Sequence, residues 1–136
     1  MVSDLATRYQ EIKKQTGNAA FIAVSKFQPV EKMIELYRLG HRDFGENYVQ
    51  ELIEKSKIFQ DQGLRDVRFH FIGHLQSNKV KLVLPHVCAI HSIDSLKLLR
   101  EVSAWAVKFN IKIPCYFQIN LHHEASKGGF TPEELS

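Results

Sequence analysis

Nothing in this sequence looks built to cross or reach a membrane. No apolar run approaches the ~18 residues that span a bilayer, and Met1-Val2-Ser3-Asp4 opens the chain with no basic stretch followed by an apolar core, so a signal peptide is not expected. Cysteine is scarce. Cys88 and Cys115 stand alone in strand-like segments without CxxC spacing, which reads as two buried thiols in a reducing cytosol; a cytoplasmic protein is the expectation. Nor does one sign of charge dominate. The formal charge is +3, and lysines and arginines alternate with acidic residues along helix-like stretches, a solvated surface and not a nucleic-acid face. Nucleotide fingerprints of the GxGxxG or GxxxxGK(S/T) kind do not occur. There is no Ser/His/Asp motif context, no carboxylate pair suited to acid–base work, and no linker, low-complexity tract or close repeat.

What remains is an ordinary globular composition, 44% hydrophobic and 24% charged over 136 residues. That length makes one domain able to bury roughly two-thirds of its unfolded surface. The hydrophobic pattern alternates between two periods. Val2, Leu5, Tyr9 and Ile12 mark a helix ending before Gly17; Phe21 to Ser25 reads as a strand buried on both faces. Val30, Met33, Ile34 and Tyr37 mark a helix between Pro29 and Gly40, followed by a short strand at His41 to Gly45. A third helix carries Val49, Leu52, Ile53 and Phe59 and closes at Gly63. Strands are then expected at Val67 to Ile72, Val87 to Ile93 and Ile113 to Leu121. A short helix is expected from Ser77 to before Pro85, and a longer one capped by Asp94 or Ser95. Thr131 is a good cap for a last helix beginning at Pro132. Regular alternation implies an α/β fold, a parallel sheet with helices outside; pattern alone suggests an open five-stranded sheet. A closed eight-unit barrel needs at least about 200 residues, more than this chain offers.

Four segments are too polar for their positions. Lys26 ends the apolar run Ala19-Ala20-Phe21-Ile22-Ala23-Val24-Ser25, just past the carboxyl end of a buried strand, where α/β proteins place ligands. A partly desolvated amine there can lose its proton near neutral pH and attack a carbonyl; the alternative is a lysine that snorkels into water. In Phe44-Gly45-Glu46-Asn47-Tyr48, Gly45 permits unusual angles or close approach of a ligand, Glu46 and Asn47 project from a strand-to-helix loop, and Asn47 could equally cap the next helix. In His70-Phe71-Ile72-Gly73-His74-Leu75-Gln76-Ser77-Asn78-Lys79, His70 points inward and the stretch after Gly73 is a polar loop. The spacing of His70 and His74 straddles strand and loop, so no metal site is expected there or at His122-His123. Finally, Tyr116, Gln118 and Asn120 share one face of the last strand, whose amides need partners from a ligand or an inner network. Ser126-Lys127-Gly128-Gly129 follows as a loop with a second amine.

Taken in order, Ala23-Val24-Ser25-Lys26, Phe44-Gly45-Glu46-Asn47-Tyr48-Val49-Gln50-Glu51, His70 to Lys79, Ser92-Ile93-Asp94, Gln118-Ile119-Asn120 and Ser126-Lys127-Gly128-Gly129-Phe130 resemble the pyridoxal-phosphate homeostasis protein family over nearly the whole chain. The resemblance implies a partial (β/α) TIM-type barrel of about five parallel strands, residues 1–136 forming the amino-terminal portion of a barrel related to the alanine racemase N-terminal domain. It implies that Lys26 holds pyridoxal 5′-phosphate as an internal aldimine, with Asn47 and His74 at strand ends near the cofactor and Lys127 as a secondary acceptor of the aldehyde. It further implies a role in vitamin B6 and amino-acid balance without turnover. Two departures stand out. Gln28 replaces the family's second basic residue, and the later segments that supply the family's phosphate site, a Gly-Met-Ser stretch and a glycine-rich turn, lie outside this sequence. Cofactor binding is therefore expected to be weakened or lost, and the open edge after the fifth strand to promote self-association. The alternatives are a racemase-like enzyme using the same imine, for which no second base is evident because Tyr48 opens a helix, and a fragment without ligand that acts through protein contacts.

Overall fold

A computed structural model describes residues 2–136, leaving Met1 of the expected 1–136 unit outside the described residues. The order is α1 (Asp4–Thr16), β1 (Ala23–Val24), α2 (Val30–Arg38), β2 (Asp43–Glu46), α3 (Val49–Asp61), β3 (Arg68–Phe71), α4 (Val80–Val83), β4 (Ala89–Ile93), α5 (Leu96–Lys108) and β5 (Cys115–Phe117). The five strands are parallel and lie in chain order, β1-β2-β3-β4-β5. A doubly wound sheet reverses its strand order at a switch point. Here it never reverses, and right-handed crossovers then put every connecting helix on one side. This is the wall of a (β/α) barrel, five parallel strands with helices outside.

One-sided coverage explains the core. Phe44 and Phe69 are register partners, and with Phe71, Ile90, Phe59, Leu52, Val83 and Leu98 they fill the space between sheet and helices. Each such fully buried side chain stabilises the fold by roughly 1.5–3 kcal/mol. The other face of the sheet is concave and carries no helix, which corrects the reading of the first strand as covered on both sides: Ala23 packs into the core while Val24 is 55% exposed.

Two helices start at serine caps, the first after Val2, which the pattern places on its apolar face. The Ser3 hydroxyl accepts from Ala6 N–H at 3.0 Å and the Ser95 hydroxyl from Leu98 N–H at 3.1 Å, so Ser95, not Asp94, caps α5. The expected helix from Ser77 becomes a 3₁₀ turn (Ser77–Lys79), the single turn α4 and a second 3₁₀ turn (Leu84–His86) that includes Pro85, tolerated early in a new turn because it needs no N–H there. Thr131 caps a short 3₁₀ turn, Pro132–Leu135. The strands are shorter than expected at both edges. Phe21 leaves β1 to stack on His41 at 4.9 Å, and beyond Phe117 the chain bonds to the segment at Phe130, where Ile119 forms an isolated parallel bridge. Among the described residues no helix is long and apolar enough to cross a membrane.

Candidate functional site

Lys26 lies in the β-turn that follows β1, closed by Gln28 N–H donating to Ser25 O at 3.0 Å, with Lys26 and Phe27 as its central pair. Its side chain is exposed, so the structure matches the alternative of a lysine reaching into water and not the expected partly desolvated amine. Phe27 adopts φ +60°, a left-handed conformation that costs a non-glycine residue roughly 1–2 kcal/mol and that turns of this kind usually give to glycine or asparagine. A buried ionic cluster holds it there. Lys55, only 6% exposed, donates its three N–H groups to Glu46 Oε1 (2.6 Å), Glu51 Oε1 (2.7 Å) and the Ser25 carbonyl (2.7 Å). Ser25 Oγ donates to Glu46 Oε1 at 2.8 Å, and Phe27 N–H donates to Glu51 Oε1 at 2.6 Å. The two backbone groups flanking Lys26 are thus tied to charges in the interior. Glu46 is 0% exposed in β2, which corrects its placement as a projecting loop residue.

Asn47 follows β2 and does not cap α3. Tyr48 occupies the cap position without a side-chain bond, and its ring packs on Phe27 at 5.0 Å. Asn47 Oδ1 is buried with no hydrogen-bond partner among the described residues. The next strand's loop crosses directly over it. A Cβ at Gly73 would lie 2.5 Å from Asn47 O, so only glycine lets the two backbones meet. Gly45 is crowded differently: its absent Cβ makes room for Ile72 (2.9 Å) and Ile22 (3.1 Å), not for a ligand. His74, beyond Gly73, places Nδ1 3.2 Å from Asp94 Oδ2, at the end of β4. With Ser95 capping α5, the Asp94 carboxylate is free to orient this ring, leaving Nε2 open. An irregular register between Ile90 and Ile93 of β4 precedes Asp94, the kind of bulge that re-aims a strand end.

Lys127 stands across the sheet. Gln118 and Asn120 do find an inner network, and it is the loop itself: Gln118 Nε2 donates to Gly128 O (2.9 Å), Asn120 Nδ2 to Glu124 O (2.8 Å) and Lys127 O (3.2 Å), and Asn120 Oδ1 accepts from Glu124 N–H (3.2 Å). A shallow cavity of about 340 Å³ opens over these residues. Lys127 Nζ pairs with Glu124 at 3.1 Å on the exposed surface. The structure therefore joins Asn47, Gly73, His74, Asp94 and Gly128 in one row, while Lys26 and Lys127 occupy its two ends. Four strand spacings separate them, roughly 19 Å along the sheet before curvature.

Deeper on the concave face runs a second polar row. Asp43 accepts a bidentate pair from Arg68 (2.8 and 2.7 Å) and bonds His70 Nε2 at 2.9 Å; His70 Nδ1 meets His91 Nε2 at 2.9 Å; His91 stacks on Tyr116 at 4.6 Å. The Arg68 hydrogen bonds pull the Asp43 carboxyl down to about 2, against the opposing effect of burial and with help from His70. Burial lowers His91 and raises the thiols of Cys88 and Cys115, which are free and half-buried. His70 points inward as expected. Among the described residues, no group of three or more His, Cys, Asp or Glu side chains is arranged to hold a metal ion.

The sequence reading did not single out Lys55, the centre of the buried cluster beneath Lys26, although a signal existed. Leu52, Lys55, Ser56 and Phe59 form the buried stripe of α3, so a lysine occupies a core position, four residues after Glu51.

Known proteins share this fold. The sequence is 40% identical over 120 residues to the pyridoxal phosphate homeostasis protein of Schizosaccharomyces pombe, covering 87% of this chain and 49% of that protein. It is 40% identical over 145 residues to the protein of the same name from Escherichia coli, covering 98% and 62%. Two structures of PipY from Synechococcus elongatus superpose closely: one without PLP, with TM-score 0.91 and 34% identity over 97% of this chain and 61% of that one, and one with PLP bound, with TM-score 0.85 and 32% identity over 97% and 60%. The chain spans roughly half of the length of the curated relatives it matches. The alanine racemase N-terminal domain family matches residues 2–136, essentially all of the fold described above, and the chain belongs to that family.

Proposed function

We propose that this protein binds pyridoxal 5′-phosphate, holds it covalently through Lys26, and serves the supply of that cofactor in the cytoplasm without turning over a substrate. The observation that carries the reading is the placement of Lys26: an exposed primary amine at the carboxyl end of β1, on the same sheet end as the Asn47 and His74 loops. When bound, the cofactor supplies an aldehyde that condenses with a neutral primary amine, forming a C=N bond and releasing one water, and a phosphate that seeks N–H donors and cations. The residues present fit such a group. Lys26 offers the nucleophile, the buried Asn47 Oδ1 lacks a donor and would accept from the cofactor's ring hydroxyl or protonated ring nitrogen, and Asp94 holds His74 with Nε2 available. Lys127 lies at the far end of the same row and suits a transient second acceptor. The relatives above are named for homeostasis, not for an enzymatic reaction, which supports binding without turnover.

We further read the described residues as one unit, the amino-terminal portion of a barrel. Binding by this chain should be weaker than in the relatives about twice its length. Two copies should associate through the β1 and β5 edges, where Val24, Phe117, Ile119 and Leu121 are exposed; light scattering that gives a monomer at all concentrations would contradict this. The cofactor assignment is tested by titrating the protein with pyridoxal 5′-phosphate, following a visible absorption band, and reducing with borohydride. The reading expects the band to vanish on reduction and the label to map to the peptide containing Lys26. A label elsewhere overturns it.

A further inference from the structure

The cluster of Lys55, Glu46 and Glu51 is costly to bury, and a simple packing role does not require it. Leu52 and Phe59 already anchor α3, and an apolar side chain at position 55 would continue their stripe. What the cluster does instead is reach the turn that carries Lys26, on both sides. The Ser25 carbonyl accepts twice, from Gln28 N–H at 3.0 Å and from Lys55 Nζ at 2.7 Å, so both its lone pairs are engaged. The Phe27 amide donates to Glu51 at 2.6 Å while its residue is held at φ +60°, a conformation it would leave if released. Glu51 Oε1 also receives Lys55 Nζ, so amide and carbonyl are coupled through one buried ammonium. Lys26 alone among residues 25–27 has neither backbone group tied to the cluster, and its side chain is exposed.

We propose that Lys55 and Glu51 are positioning residues for Lys26: they fix the turn in one conformation before any ligand arrives, so that the amine is presented at the sheet's carboxyl end and binding does not have to order it. This rests on the reading of Lys26 as covalent anchor. Preorganisation of this kind raises affinity by removing an ordering cost, not by adding a contact to the ligand.

The test uses Glu51→Ala, because Glu51 lies at the rim of the cluster, 21% exposed, and its loss should leave the protein folded, as checked by near-ultraviolet circular dichroism. Glu51→Gln keeps an acceptor oxygen and serves as the conservative rescue. Glu51→Asp, which withdraws the oxygen by one methylene, replaces Glu51→Ala if that variant does not fold. Two readouts are taken: hydrogen exchange of the Phe27 amide with no ligand present, and the half-saturating concentration of pyridoxal 5′-phosphate, with borohydride mapping of the label. Loss of a charge-assisted hydrogen bond should speed Phe27 exchange and raise half-saturation, each about tenfold, with Glu51→Gln returning both to within about threefold. Label on Lys26 with Glu51→Ala folded and both readouts unchanged overturns the positioning role alone. Label of the parent protein at another residue overturns the anchor reading and this role with it.

Discussion

The two lysines at the ends of the polar row are supported in opposite ways. Beneath Lys26 the backbone is tied to a buried ammonium and to one carboxylate, and the ammonium to that carboxylate and a second, all at 2.6–2.7 Å. Beneath Lys127 the loop is held by neutral side-chain amides at 2.8–3.2 Å and by an ion pair between side chains that are 69% and 45% exposed. Charge-assisted bonds in a buried setting fix a geometry; neutral bonds and exposed pairs, worth about 0–1 kcal/mol, let it adapt. A rigid seat suits a resident covalent partner, and an adaptable one suits a group that comes and goes.

The largest effect should come from the rigid end. Lys55→Met leaves Glu46 buried opposite a thioether, a loss of about 3–5 kcal/mol by chemical denaturation, whereas replacing both Lys55 and Glu46 with Met should recover much of it. Equal losses in the single and double variants would show that the pair is not the source. Next comes the joint between the Asn47 and His74 loops. Gly73→Ala forces a Cβ to within 2.5 Å of the Asn47 carbonyl oxygen, so backbone must move; overpacking of that kind costs about 1–3 kcal/mol, read as a fall in Tm. Gly45→Ala, which meets only side-chain atoms, of Ile72 and Ile22, and no backbone, should cost less.

Smaller still is the ionic row deeper on the concave face. Asp43, normally near 3.8, is held at about 2, so the folded protein binds its proton more weakly than the unfolded chain does. Its contribution is full above about pH 4 and is lost as pH falls through about 2. Asp43→Asn should cost about 1–2 kcal/mol at pH 7, after discounting for solvent around the half-exposed Arg68. The difference from the parent should shrink toward pH 2 in urea titrations, and a gap that stays constant with pH would remove the ionic explanation. The adaptable end should barely register: Glu124→Gln is expected to change stability by less than roughly 0.5 kcal/mol. Asn120→Ala should instead speed hydrogen exchange across 121–129 without moving the global midpoint much.

The fold was legible because period and punctuation agreed. Pro29, Ser95 and Thr131 start helices or turns where their chemistry places them, and the alternation of strand and helix patterns led to five parallel strands. Strand order was not legible in the pattern, which suggested only an open five-stranded sheet; the family resemblance implied the barrel. Val24 misled because an apolar run looks the same whether one side or both are covered. The candidate site was only partly legible. Lys26, Asn47 and His74 lie just past strand ends and Lys127 in the loop beyond β5, yet periodicity alone says nothing of Lys55 reaching 30 residues back to Ser25. Asp94 and Ser95 both stood open as the cap because the sequence offers two neighbours for one role, and only the hydrogen bond from Leu98 to Ser95 decides between them.

The most direct measurement of the central claim is the ratio of borohydride-fixed label on Lys26 and Lys127 after brief loading with pyridoxal 5′-phosphate. The account predicts label dominantly on the Lys26 peptide. Label favouring Lys127, or spread evenly over surface lysines, would contradict it.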